Sequence, residues 1–131
     1  MEPQMNADER RLNQITEKVI ECAYRVSNKL GCGFLERVYE NAMFVDLTFE
    51  GLKAEQQRGV QIFYRDALVG EYVAELIVEG VLLLELKAVK ALDEVHVAQC
   101  LNYLKATGLK VAILINFAKP KIEIRRVVLD L

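Results

Sequence analysis

The chain has 131 residues, 53% hydrophobic and 27% charged, with a formal net charge of −2. That length closes one substantial core with no room for a second, so a single domain over residues 1–131 is expected, with 1–7 as a flexible N-terminus. The interspersed charges and slight acidic excess exclude a protein that holds nucleic acid through overall positive charge; any such role must rest on a local site.

Asn6 followed by Glu9 reads as a capping box, and Leu12, Ile15, Val19, Cys22, Val26 and Leu30 recur at helical spacing up to Gly31-Cys32-Gly33. A second helix follows, with Leu35, Val38, Ala42, Val45, Phe49 and Leu52 as its expected buried stripe. From Lys53 the period changes. Val60, Ile62 and Tyr64 alternate with Gln61, Phe63 and Arg65, the Arg65-Asp66 turn leads to Val69, and a second strand runs to Glu79. After a reversal at Gly80, Val81 to Val89 is almost continuously apolar, as expected of a central strand covered on both faces. Asp93 caps a third helix ending at Gly108, and Val111–Phe117 and Ile122–Leu129 read as two further strands. The predicted order is ααβββαββ, an α/β fold with a mixed sheet flanked by helices.

Alternate strand residues share a face, so Glu85 and Lys87 project together from the central strand. Buried charges there require pairing or a metal. Glu75 and Glu79 share a face of the preceding strand, and the reversal at Gly80 is expected to bring one or both beside Glu85. More carboxylates then meet than one lysine neutralises, which suits a hard divalent cation with oxygen ligands. An exposed cross-strand charge pair is the plainer alternative for Glu85 and Lys87. Glu36 and Glu40, one helical turn apart, repel unless a cation sits nearby; an ordinary solvated face is the alternative. Tyr39 and Tyr103 read as packing residues with hydroxyls at the pocket edge.

Taken together, Gly33-Phe34-Leu35-Glu36-Arg37-Val38-Tyr39-Glu40, Gly70-Glu71-Tyr72, Glu75 to Glu79, Glu85-Leu86-Lys87-Ala88-Val89, Gln99 to Tyr103 and Ile115-Asn116-Phe117 resemble the GxxExxY family, a small branch of the PD-(D/E)XK nuclease-like superfamily. The resemblance implies a restriction-endonuclease-like fold and divalent-metal-dependent hydrolysis of DNA or RNA. It assigns Glu85 and Lys87 to the Glu-x-Lys of the signature and Glu75 to the position of its metal-binding Asp, a departure by one methylene. Glu75, Glu85 and the Leu86 carbonyl would hold Mg²⁺ or Mn²⁺. Lys87, Glu36 and Gln99 would be catalytic, with Glu40, Tyr39 and Tyr103 supporting. A nuclease-fold module that binds nucleic acid or a protein partner without cutting is the alternative.

Cys22, Cys32 and Cys100 form no close pair and fit reduced thiols, so a cytoplasmic location is expected. No segment reads as a signal peptide or membrane span. His96 is the only histidine, and with the cysteines it has no zinc-ligand spacing. Lys110, Lys119, Lys121, Arg125 and Arg126 form the one notable basic concentration, and a homodimer would cover part of so apolar a surface.

Overall fold

A computed structural model describes residues 6–129. Its elements are α1 (Ala7–Leu30), α2 (Glu36–Phe49), β1 (Ala54–Tyr64), β2 (Ala67–Val78), β3 (Leu82–Lys87), α3 (Glu94–Thr107), β4 (Val111–Asn116) and β5 (Glu123–Val128), the order expected from the sequence. The five strands form one sheet in the order β1-β2-β3-β4-β5, antiparallel except for the parallel pair β3 and β4. A parallel pair needs a long crossover, which α3 supplies. The apolar run of β3 is therefore central, covered by α1 and α2 on one face and α3 on the other.

Both tight turns have two consecutive residues with positive φ, as type I′ hairpins require. These are Arg65 and Asp66 (φ 49° and 63°) between β1 and β2, and Glu79 and Gly80 (φ 53° and 69°) between β2 and β3. Asn6 Oδ1 accepts the Glu9 N–H at the start of α1, so Asn6 and Ala7 belong to the helix and its cap; residues 1–5 of the expected flexible N-terminus lie outside the described residues. Asp93 and His96 form a reciprocal capping box on α3, which accounts for the only histidine.

Strand β1 begins at Ala54, directly after Lys53, where the period was expected to change, and one expectation is corrected. Helix α2 buries Tyr39, Glu40, Met43 and Leu47, whereas Leu35 is 80% exposed, Phe49 89%, and Val38 and Val45 are exposed as well. The helix has two apolar rows, and the sheet takes the one with the larger side chains. Tyr39 stacks on Phe117, with ring centroids 4.6 Å apart, and its hydroxyl donates to the Gly31 carbonyl and accepts the Phe34 N–H. These bonds fix the entry to α2, and with it the place of Glu36.

Candidate functional site

The regular ladder between β2 and β3 runs from Val78↔Leu82 to Leu76↔Leu84 and stops there. One residue further, side chains replace the backbone bonds: the Glu75 N–H donates to Glu85 Oε2 (3.4 Å) and the Leu86 N–H donates to Glu75 Oε2 (3.0 Å). The strands thus part at the two glutamates, whose carboxylates lie in the gap. Glu85 is only 2% exposed and Glu75 is half-buried.

Taking carboxylates from water disfavours their charge, and proximity adds repulsion. Burial first, and then the Glu85 charge, pushes Glu75 up to about 8; burial likewise pushes Glu85 up to about 7. Lys87 offsets part of this and Glu36 adds to it. Lys87 is half-buried and has no ion pair within 4.0 Å among the described residues, so it acts on the pair at longer range. Lys87 and the two backbone N–H groups therefore offset only part of the negative charge that the pair carries when both carboxylates ionise.

Glu36, the first residue of α2, accepts the Ala88 N–H through Oε1 (3.1 Å), just beyond Lys87. Tyr72 and Tyr103 stack with centroids 3.8 Å apart on the α3 face of the sheet. The Tyr72 hydroxyl is buried against the Glu85 carboxylate without a well-aligned hydrogen bond, and burial together with that charge pushes its pKa far above the usual phenol range. Burial likewise pushes the Cys100 thiol up to about 12, so it is an inert packing group. Gln99 is exposed on α3, one turn before Tyr103, and no hydrogen bond ties it to Lys87.

Other expected participants stand elsewhere. Glu79 accepts the Lys53 N–H (2.7 Å) and pairs with Arg11 at the opposite end of the sheet, because the left-handed turn carries it away from Glu85. Glu40 is buried, and its two oxygens accept from the side-chain amides of Gln56 and Gln57, each at 2.7 Å; no cation is needed to hold it. The basic concentration is divided as well. Arg126 donates to Asn13 of α1, and Lys119, in the loop that leaves β4, pairs with Glu123 at the start of β5.

Asn116, fully buried and opposite Lys87 on β4, had no role assigned from the sequence. Its Oδ1 accepts the Val89 and Ala118 N–H groups, while Nδ2 donates to the Val89 carbonyl and Glu123 Oε1. It therefore holds the chain that follows Lys87. The signal was present: one polar residue ends the apolar run Val111 to Ile115. Asn116→Ala would leave buried backbone groups unpaired at a cost of about 1–3 kcal/mol. Urea unfolding should register that loss, with faster amide exchange at Val89.

The carboxylates of Glu75 and Glu85 offer oxygen donors only, the kind that hard cations such as Mg²⁺ or Mn²⁺ take. Among the described residues no group of three or more His, Cys, Asp and Glu side chains gathers as a metal cluster. No described helix is long and apolar enough to cross a membrane.

The family model for the PD-(D/E)XK nuclease superfamily matches residues 13–127, a span that includes every residue of this site. No curated protein and no solved structure matches the chain.

Proposed function

The chain belongs to the PD-(D/E)XK nuclease superfamily, and from that membership we propose that it is a divalent-metal-dependent nuclease of the GxxExxY branch, hydrolysing phosphodiester bonds of DNA or RNA. The observation that carries this reading is the parting of β2 and β3 around Glu75 and Glu85, two carboxylates brought together with their charge only partly offset. Gly33, Glu36 and Tyr39 supply the branch's spacing, and each has a use here, at the loop, at Ala88 and at Gly31.

Glu75, Glu85 and the Leu86 carbonyl would hold Mg²⁺ or Mn²⁺. Such an ion, when bound, supplies Lewis acidity toward a phosphate oxygen and a lower pKa for water. Lys87, unpaired at short range, orients the attacking water or meets charge developing on the phosphate. Glu36 fixes the chain at Ala88, so that Lys87 is held at a defined distance from the glutamates. Gln99 is free to hydrogen-bond a phosphate oxygen from α3, and Tyr72 and Tyr103 close the site beside Glu85. Asn116 keeps Val89, and thus the segment after Lys87, against β4.

Incubation with mixed single- and double-stranded DNA and RNA tests the proposal. Cutting is expected with Mn²⁺ or Mg²⁺ and should cease in EDTA. A folded chain that cuts none of these substrates would favour the second reading, a module that binds without cleaving. That reading draws on Glu75, one methylene longer than the family's Asp and with Oε2 already bonded to the Leu86 N–H. Its signature would be salt-dependent nucleic-acid binding with no product.

A further inference from the structure

Neighbouring residues of a regular strand point to opposite faces, yet Gln56 and Gln57 of β1 both reach the same carboxylate, Glu40 of α2. The backbone permits this because Gln57 is left-handed, with φ 55°, a conformation uncommon for a residue other than glycine. The pairing of β1 with β2 passes from Gln56↔Leu76 to Arg58↔Ala74, leaving Gln57 opposite Glu75 as the unpaired step. Side chains of β2 change phase at the same place: Tyr72 and Ala74 pack in the α3 layer, whereas Leu76 and Val78 pack against α1 and α2. At that step too, β2 leaves the ladder with β3, and the Glu75 N–H turns to Glu85.

These coincidences have one cause if the kink at Gln57 bends the β1–β2 ribbon away from β3. We propose that Glu40 is a positioning residue: by holding Gln56 and Gln57 it fixes a left-handed kink in β1 that opens the gap in which Glu75 faces Glu85. A buried carboxylate with two short amide donors is a stiff anchor, and the register is the same on both sides of Gln57, so the step is a change of backbone conformation with no residue inserted. The inference rests on the nuclease reading only for its consequence on metal binding; the kink and the gap belong to the chain without metal.

The test separates the two. Amide exchange is followed in the metal-free chain at Leu86, whose N–H is protected by Glu75 only while the gap keeps its shape. Gln57→Val strongly disfavours positive φ, whereas Gln57→Gly accepts it readily. Exchange at Leu86 should be at least about tenfold faster in Glu40→Ala and in Gln57→Val, and close to native in Gln57→Gly, with β4 amides unchanged in all three. A simple packing role for Gln57 would make glycine at least as damaging as valine. If Glu40→Ala does not fold, Glu40→Gln takes its place, since it keeps the shape but offers one acceptor oxygen to two amides, and it too should speed exchange at Leu86. Native protection of Leu86 in Glu40→Ala, or equal losses in the valine and glycine variants, would overturn the proposal. Mn²⁺ affinity should follow the same ranking; a native chain that binds no Mn²⁺ would remove the nuclease reading while the exchange result stands.

Discussion

Lys87→Ala should abolish metal-dependent cleavage, by at least about a hundredfold, the scale seen when one group aimed at developing charge is removed. The fold should survive. The lysine side chain has no ion pair within 4.0 Å among the described residues, and its backbone bond, in which Phe117 N–H donates to the Lys87 carbonyl, does not involve the side chain. Metal binding should survive as well, because the proposed ligands are Glu75, Glu85 and the Leu86 carbonyl. Loss of turnover with Mn²⁺ affinity kept distinguishes a catalytic lysine from one that merely offsets two carboxylates. Cleavage at the native rate would remove Lys87 from the mechanism.

Stability of the metal-free chain should fall as pH rises, the reverse of ordinary acid denaturation. Both glutamates have folded-state values above the ordinary carboxylate range, about 8 for Glu75 and about 7 for Glu85, chiefly through burial. The folded chain therefore holds protons that the unfolded chain has released, and unfolding gains from their loss. The contribution is complete below about pH 4.5 and is lost as pH rises through 7 to 8. The two carboxylates titrate as a pair and water reaches Glu75, so the loss is on the order of 3 kcal/mol rather than the sum of two separate shifts. Urea unfolding at pH 5 and pH 8 measures it, and Mn²⁺ should restore stability at pH 8. Stability unchanged between the two pH values would mean that the glutamates are better solvated than their burial indicates.

The centre of this site was legible in the sequence because strand geometry leaves little freedom. A charged pair at alternate positions in an otherwise apolar run must sit on one face of a buried strand, and a hairpin then sets a glutamate of β2 beside Glu85. Strand pattern alone left Glu75 and Glu79 both open; the resemblance pointed to Glu75, and the backbone supplies the physical reason. Glu79 lies in the left-handed turn itself, and there its carboxylate meets Lys53 and Arg11. The buried row of α2 was misread because Val38, Val45 and Phe49 are as apolar as Tyr39, Met43 and Leu47, so periodicity alone could not select a face. Glu40 was recognised as a candidate, but its partners were hidden. Gln56 and Gln57 precede the alternation by which β1 was found, and a positive φ at glutamine has no signature in composition. The Tyr72 hydroxyl was unreadable for a related reason: its neighbour Glu85 comes from another strand.

A titration of the metal-free chain with Mn²⁺ at pH 7, in buffers of different ionisation enthalpy, tests most directly whether the glutamate pair is a metal site. The pair then carries protons that a cation must displace. Saturable binding accompanied by proton release, both lost in Glu85→Gln, is the predicted result. Binding without proton release, or binding unchanged in Glu85→Gln, would contradict the account by placing the cation elsewhere on the chain.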